Sequence, residues 1–151
     1  AKVTHVYARI ITVDKSSSVD DHCLITLEFD NNVLATVDAS WVSPGGVDDV
    51  LEVLGRDGYV RADLARGQTL DLYTLVGSNE TAEKVETNKG WLKVPHEEAR
   101  AWGWFAEIEH FTSVLLDGVS PIITGEDGYQ ALKVAIAAYE SAKTHQRITI
   151  N

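Results

Sequence analysis

Histidine is the first residue type in this sequence to consider for binding a metal ion or transferring protons. There are five of them: His5, His22, His96, His110 and His145. No two lie three or four residues apart, which is the spacing that a helical metal clamp requires. The segment His96-Glu97-Glu98-Ala99-Arg100 begins like the helix of a zinc protease, but Arg100 stands where the second histidine must be. We therefore predict no metal site.

Acidic residues close together in sequence are the next candidates for acid–base chemistry. They occur at five places: Asp20-Asp21, Asp48-Asp49, Glu97-Glu98, Glu107 with Glu109, and Glu126-Asp127. Such pairs usually lie on a solvated surface or at a helix N-terminus, and sequence spacing does not set the carboxylate separation that a glycosidase needs. The chain also has no Gly-x-Ser-x-Gly elbow, no Gly-x-Gly-x-x-Gly fingerprint and no Walker-type loop. A hydrolase is therefore the weakest of three functional hypotheses.

The four tryptophans have two open interpretations. Trp41 precedes a Pro-Gly-Gly segment, and Trp91, Trp102 and Trp104 lie where a strand-rich half gives way to helices. They could belong to a core or a subunit interface. They could also form an apolar wall for a sugar-like or polyol ligand, with Asp48 or His96 as hydrogen-bonding partners.

Composition limits the partners and the compartment. The 151 residues include 23 Asp and Glu against 13 Lys and Arg, a net charge of -10. This excess would repel a phosphate backbone, so we expect no nucleic-acid partner. No apolar run approaches the roughly 20 residues of a membrane span, and no signal peptide opens the chain. The single cysteine, Cys23, excludes an internal disulfide and is expected to be a small buried hydrophobe. We predict one cytoplasmic domain over residues 1–151, with no membrane partner.

The first half of the chain alternates with a period of two, as strands do. Residues 2–13 form one such run, with Val6, Ala8 and Ile10 expected to face a core. Residues 22–29 and 33–42 form a hairpin across the turn Asp30-Asn31-Asn32. Further strands are predicted at 50–54, 59–63, 70–75, 85–94 and 146–150. Gly55-Arg56-Asp57-Gly58 is a strong turn signal.

The periodicity becomes helical after Pro95. One helix is predicted within 98–117, ending before Gly118. A second is predicted to begin after the capping residue Thr124. Its expected buried stripe is Tyr129, Leu132, Ala135, Ile136 and Tyr139.

Strands first and helices later predict an α+β fold: an open, predominantly antiparallel sheet of six to seven strands with helices packed on one face. Two helices cover only part of such a sheet. We therefore expect a homo-oligomer that forms through the open sheet face.

Three ordered segments carry a family resemblance: Leu51-Glu52-Val53-Leu54-Gly55-Arg56-Asp57-Gly58, the stretch from Glu107-Ile108-Glu109-His110-Phe111 to Pro121, and the stretch from Thr124-Gly125-Glu126-Asp127-Gly128 to Thr144. Together they resemble the C-terminal domain of the Gfo/Idh/MocA oxidoreductases, the glucose–fructose oxidoreductase and inositol dehydrogenase family. His145 stands where the family often has glycine, and histidine also tolerates that backbone.

The resemblance implies a longer parent enzyme that uses NAD or NADP on a sugar, polyol or related hydroxylated substrate. Its Rossmann domain, its Lys of a Glu-Lys-Pro-type motif and its Asp…His helix cannot be placed in this chain. The chain alone is therefore expected to have no catalytic or cofactor-binding residue, to bind no dinucleotide and to be inactive. The resemblance also implies that the loop 44–49 and the start of the predicted helix border the substrate. The substrate-binding candidates are Trp41, Asp48, His96, Trp102 and Trp104.

A different class of function stays open, namely a stand-alone, non-catalytic α+β module for ligand binding or dimerisation. The oxidoreductase hypothesis requires a dinucleotide-binding fingerprint in the coding sequence upstream of Ala1, and the stand-alone module does not. The sequence does not decide between NAD and NADP, the substrate, or the type of reaction: dehydrogenation, reduction or NAD-dependent glycoside cleavage.

Overall fold

The structure is a computed structural model that describes residues 1–14, 18–44, 47–65, 69–78, 88–95 and 103–150. In these residues the predicted α+β class and the antiparallel pairing are confirmed. The eight strands are β1 (Val3–Ile11), β2 (His22–Phe29), β3 (Leu34–Ser40), β4 (Val50–Leu54), β5 (Gly58–Asp63), β6 (Thr69–Thr74), β7 (Gly90–Pro95) and β8 (Ile148–Thr149). The two helices are α1 (Trp104–Leu116) and α2 (Gly125–Thr144).

The described strands form two sheets of four rather than one sheet of six or seven, with orders β3-β2-β1-β8 and β4-β5-β6-β7. The chain likewise divides into two compact units, residues 1–44 with 122–151, and residues 45–121. Each unit contains one sheet and one helix. The assignment of the chain to a single domain stays a prediction.

The first unit has its core between β1 and α2. Val6 and Ala8 of β1 are buried against Ala137 and Ala138 of α2, and Ile10 packs at the edge of this cluster. The predicted core face of β1 is therefore confirmed. Because these side chains are small, the helix lies close to the strand, and the amide of Ala8 donates a 3.0 Å hydrogen bond to a helix side chain, Ser141 Oγ.

The hairpin of β2 and β3 is confirmed. Its turn is closed by a 3.0 Å hydrogen bond from the Phe29 amide to the Val33 carbonyl, and Asn32 adopts the left-handed backbone (φ 63°) that asparagine tolerates. Cys23 on β2 is a free thiol and only partly buried, so it is less enclosed than predicted.

Both ends of α2 follow the sequence-based expectations. Thr124 is the N-cap in a capping box: its hydroxyl accepts from the Asp127 amide, and its own amide donates to the Asp127 carboxylate at 2.7 Å. The Thr124 hydroxyl also donates to the Asp127 carboxylate at 2.7 Å, and this hydrogen bond, followed by the one from the Thr124 amide, lowers the pKa of Asp127 below its ordinary 3.8. At the other end, His145 is the C-cap with φ 59°.

The predicted buried stripe of α2 is wrong. Each of its large members is more than half exposed, and Ala135 is also exposed: Tyr129, Leu132, Ala135, Ile136 and Tyr139. The buried residues of α2 are Ala137, Ala138 and Ser141, with Val134 packed beside them. Helical periodicity marks both faces as apolar, and the face with small side chains packs on β1 because it allows the closer approach.

The second unit contains the sheet β4-β5-β6-β7 and helix α1. The predicted turn between β4 and β5 is confirmed by the 2.8 Å hydrogen bond from the Gly55 amide to the Gly58 carbonyl. Helix α1 begins after Gly103 and is followed by Gly118 with φ 68°, as predicted for its C-terminal end. Residues 98–102 of the predicted helix lie outside the described part. No residue of α1 is buried.

One ion pair joins three strands of the first unit. Arg147, next to β8, donates from Nε at 2.8 Å and from Nη2 to the two carboxylate oxygens of Glu28 on β2, and His5 of β1 lies 3.9 Å from the same carboxylate. The hydrogen bond from Arg147 holds the pKa of Glu28 below its ordinary 4.5. Because the folded-state pKa is lowered, the pair stabilises the fold above pH 4.5, and this stabilisation is lost as the pH falls through the lowered value.

We expect Glu28→Gln to flatten the pH dependence of stability. Between pH 7 and pH 3 the unfolding temperature of the unchanged chain should fall more steeply than that of the variant, with a difference of a few degrees at pH 7, since exposed pairs are weak. Circular dichroism melts at several pH values measure it. Glu107→Gln on the exposed surface of α1 is the control. Parallel curves for Glu28→Gln and the unchanged chain would contradict this account.

Candidate functional site

Three of the five predicted substrate-binding residues are described by the structure. Trp41 belongs to the first unit, and Asp48 and Trp104 belong to the second. His96 and Trp102 lie outside the described residues. The substrate-binding role of all five stays a prediction.

Trp41 follows the last residue of β3 and presents its indole to solvent. Its amide donates a 2.8 Å hydrogen bond to the carbonyl of Asp21, so the backbone is fixed against the start of β2. The side chain is 83% exposed. A fixed backbone with a free aromatic ring is an arrangement suited to contact with a ligand or another protein.

Asp48 and Trp104 are also exposed. Asp48 lies two residues before β4, and the neighbouring Asp49 accepts a 2.9 Å hydrogen bond from the Leu64 amide, which holds this loop beside β5. Trp104 is the first residue of α1, directly after Gly103 with φ 78°. Six large apolar side chains of α1 are more than half exposed: Trp104, Phe105, Ile108, Phe111, Leu115 and Leu116.

A cluster of three aromatic rings lies on the second sheet, and of these the sequence analysis named only Trp91. Tyr59 of β5 pairs with Tyr73 of β6, which pairs with Trp91 of β7. The Trp91 ring meets Tyr73 at 5.4 Å and Tyr59 at 5.8 Å between centroids, both edge to face. The three rings line a shallow, open depression of about 480 Å³. We call Tyr59, Tyr73 and Trp91 the aromatic cluster.

Paired charges surround the aromatic cluster. The Tyr59 hydroxyl donates a 2.8 Å hydrogen bond to Glu52, whose carboxylate also lies 3.3 Å from Arg61 Nε. Partial burial and this acceptor raise the pKa of the Tyr59 phenol above its ordinary 10.0, so it is neutral at physiological pH. Lys93 follows Trp91 by two residues on β7, and its Nζ lies 2.7 Å from the carboxylate of Asp71, its partner on β6.

This arrangement can bind by apolar contact, but it holds no arranged set of catalytic groups. The acidic side chains beside the cluster are already engaged by Arg61, Lys93 and the Tyr59 hydroxyl. Within the described ranges, no three His, Cys, Asp or Glu side chains are placed to hold a metal ion. Neither α1 nor α2, the helices of the described part, has the length and hydropathy needed to cross a bilayer.

The comparison with protein families covers almost the whole chain. Residues 2–150 match the C-terminal α/β domain of the Gfo/Idh/MocA oxidoreductase family. The chain belongs to this family. The resemblance predicted from the three sequence segments is thereby confirmed, and so is the description of the chain as an oxidoreductase C-terminal domain.

Two similar proteins from Bacillus subtilis (strain 168) are much longer than this chain. It is 30% identical over 148 residues to an uncharacterised oxidoreductase, YrbE, covering 93% of this chain and 40% of the relative. It is 28% identical over 132 residues to scyllo-inositol 2-dehydrogenase (NAD(+)), covering 87% of this chain and 35% of the relative. The chain thus spans well under half the length of these relatives.

A solved structure of a similar protein agrees with the fold. GenD2 from gentamicin A biosynthesis, in complex with NAD, superposes with a TM-score of 0.76 at 28% identity, over 99% of this chain and 42% of GenD2. The cofactor in that complex is NAD, as in the name of the inositol dehydrogenase.

The described residues do not fit a dinucleotide of the kind these relatives use. Rossmann-type sites lie at the carboxyl ends of parallel strands, beside a helix N-terminus that receives the pyrophosphate. All described strand pairs are antiparallel. The N-terminus of α2 carries Glu126 and Asp127, whose negative charges would repel a pyrophosphate. We therefore derive no hydride-transfer step from this chain.

Proposed function

We propose that this chain is the C-terminal part of an NAD- or NADP-dependent oxidoreductase that acts on a sugar, polyol or related hydroxylated substrate. In this proposal the chain shapes the substrate pocket and mediates oligomerisation, while the N-terminal part supplies the dinucleotide site and the catalytic groups. The match of residues 2–150 to the family's C-terminal domain carries the proposal. This chain covers only 35–40% of the length of these relatives, which supports the proposal that an N-terminal part supplies the dinucleotide site and the catalytic groups.

The pocket residues we propose are Trp41, Asp48, His96, Trp102 and Trp104. Trp41 and Trp104 present large exposed rings, which suit the C–H face of a sugar or cyclitol. Asp48 supplies a carboxylate that accepts hydrogen bonds from hydroxyl groups. The whole protein is proposed to work in the cytoplasm as a homo-oligomer, joined through an open sheet face.

Exposed apolar side chains support a contact between this chain and the N-terminal part of the protein. Helix α1 exposes six large apolar side chains, and α2 exposes an apolar stripe opposite the one that packs on β1. Contiguous apolar surface of this kind marks an interaction site. The alternative of a stand-alone, non-catalytic module is not favoured, because the chain matches long oxidoreductases over only a part of their length.

The test is to express the complete gene product that contains this chain and to assay oxidation of inositols and monosaccharides with NAD and with NADP. We expect activity with at least one such substrate. Trp41→Ala should raise KM about 10-fold and leave the dissociation constant of the dinucleotide unchanged, since only substrate contact is lost. Thr36→Ala, on an exposed stretch of β3, is the control.

The 151-residue chain by itself is expected to bind no dinucleotide. Calorimetry should detect no NAD or NADP binding to it. Micromolar binding by the chain alone, or a complete gene product that contains no dinucleotide-binding region, would contradict the proposal.

A further inference from the structure

We propose that Asp21 is a positioning residue for the substrate pocket: its buried carboxylate fixes the backbone that orients Trp41. This role rests on the proposed function, in which the Trp41 ring contacts the substrate. It adds a residue that acts on the pocket through Trp41 and not by contact with the substrate. Asp21 immediately precedes β2, at the end of the sheet β3-β2-β1-β8 where Trp41 follows β3.

The Asp21 side chain is buried although it is acidic, with 2% of the residue exposed. A buried carboxylate is costly unless hydrogen-bond donors satisfy its oxygens. Here the Val13 amide donates to one oxygen at 2.7 Å, and the Asp14 amide donates to the other at 3.0 Å. Both amides come shortly after the end of β1. The carboxylate therefore joins the chain after β1 to the chain before β2.

The backbone of Asp21 is hydrogen-bonded on both sides. Its amide donates to the Ile11 carbonyl of β1 at 3.1 Å, and its carbonyl accepts from the Trp41 amide at 2.8 Å. In a regular antiparallel pair, a residue exchanges both of these hydrogen bonds with one partner. Asp21 instead divides them between β1 and the residue after β3. The two amides that its carboxylate accepts stabilise this irregular backbone, and thus the direction of the carbonyl that holds Trp41.

The residue before Asp21 is held by helix α2. The Tyr139 hydroxyl donates a 2.8 Å hydrogen bond to the Asp20 carboxylate. Because Tyr139 is more than half exposed, loss of its hydroxyl leaves no cavity in the core of the first unit. Tyr139→Phe is therefore a mild variant that weakens the support of Asp21 from one side.

Trp41 needs this support because its ring is mostly exposed. A side chain with little packing of its own takes its direction from its backbone, and a displaced ring loses contact with a substrate that it must meet on one face. If Asp21 acts only through Trp41, loss of the Asp21 carboxylate cannot weaken substrate binding more than loss of the Trp41 ring does.

Steady-state kinetics of the complete gene product test this role, with the inositol or monosaccharide that the oxidation assay identifies as substrate. Asparagine offers one oxygen where the carboxylate accepts two amides, so Asp21→Asn loses a hydrogen bond. We expect this variant to raise KM about 5-fold and to change kcat less than about 2-fold. The double variant with Trp41→Ala should have the KM of Trp41→Ala alone, because an absent ring cannot be misplaced.

Asp30→Asn is the matched control for these kinetics. Asp30 lies at the opposite end of the same sheet, and its carboxylate also accepts a backbone amide, that of Lys2 at 3.1 Å. Its replacement should leave KM unchanged.

Hydrogen exchange followed by mass spectrometry is a second measurement, and it needs no substrate. In Asp21→Asn, exchange of the peptide that contains the Trp41 amide should be about 10-fold faster, with residues 3–8 of β1 unchanged. If Asp21 served only the stability of the first unit, exchange would be faster throughout that unit. Tyr139→Phe should speed exchange of the same Trp41 peptide about 3-fold, and it replaces Asp21→Asn if that variant does not fold.

The outcomes separate the role of Asp21 from the proposed function. A raised KM for Trp41→Ala with an unchanged KM for Asp21→Asn overturns the positioning role and leaves the pocket standing. Additive effects in the double variant, or faster exchange throughout the first unit, also overturn it, as does an unchanged Trp41 peptide in Tyr139→Phe. If Trp41→Ala leaves KM unchanged, the pocket role of Trp41 and the positioning role of Asp21 both fail.

Discussion

Replacing Ser141 by alanine should lower the free energy of unfolding by about 2 kcal/mol, because it leaves the buried Ala8 amide without its side-chain acceptor and removes the hydrogen bond to the Gln146 carbonyl. The serine is completely buried on α2. Its hydroxyl accepts from the Ala8 amide at 3.0 Å and donates to the Gln146 carbonyl at 2.6 Å. One hydroxyl thus joins helix α2, strand β1 and the segment that leads into β8.

Urea unfolding followed by circular dichroism measures the effect of Ser141→Ala. Thr144→Ala is the control, since Thr144 lies one turn further on α2, is exposed, and donates only to the Glu140 carbonyl of its own helix. We expect the control to change stability by less than about 0.5 kcal/mol. Equal changes for the two variants would show that the Ser141 bridge does not stabilise the fold. Ser141→Thr, which retains a hydroxyl but adds a methyl group, should be destabilised by overpacking.

Replacing Gly58 by alanine should cost about 3 kcal/mol or more, because the added methyl group has no room. A Cβ built on Gly58 would lie 2.2 Å from the carbonyl oxygen of Tyr73, which is backbone and cannot rotate away. Gly58 pairs with Thr74 in the β5–β6 ladder, and its carbonyl closes the turn from Gly55. The start of β5 must therefore move away from β6, and Tyr59 with it.

Gly55 at the other end of the same turn provides the matched control. A Cβ there would meet its nearest atom at 3.5 Å, an ordinary contact. Gly55→Ala should thus change stability by no more than about 1 kcal/mol. The measurement is thermal unfolding of both variants, with the edge-to-face ring contact of Trp91 followed by near-ultraviolet circular dichroism. Similar stability of the two variants would contradict the steric argument.

Local features of this fold could be predicted from the sequence because short-range interactions determine them. The capping box needs only Thr124 and Asp127, which are three residues apart. The hairpin at Asn32 depends on a left-handed backbone conformation that few residue types adopt. The apolar alternation of Val6, Ala8 and Ile10 was sufficient to place the core face of β1, since that strand is covered on one side only.

The face that α2 packs on the sheet was not predictable in the same way. The stripe with Tyr129 and Ile136 is as regular as the one with Val134 and Ala137. Its larger side chains would bury more apolar area, which favours that stripe in a prediction from sequence. The structure buries the smaller residues instead. The choice depends on how closely α2 approaches β1, and that distance is set by residues more than 120 positions apart in the chain.

The predicted site depended on family resemblance more than on chemistry visible in the residues. Trp41, Asp48 and Trp104 lie where the sequence suggested, at a strand end, in a loop and at a helix start. Trp91 was named from the sequence, but its grouping with Tyr59 and Tyr73 was missed, because the three residues are 14 and 18 positions apart and only strand register brings them together. The one available signal was the alternation of aromatic and charged residues on those strands.

By itself the amino-acid sequence determined the class of the fold, most of its strands and helices, the ends of α2 and, through three ordered segments, membership of an oxidoreductase family. These follow from backbone preferences and side-chain periodicity, which act over a few residues. The tertiary structure alone decided the partition into two sheets, the buried side of α2 and the meeting of three aromatic rings. These depend on contacts between distant segments, whose pairing local periodicity leaves open.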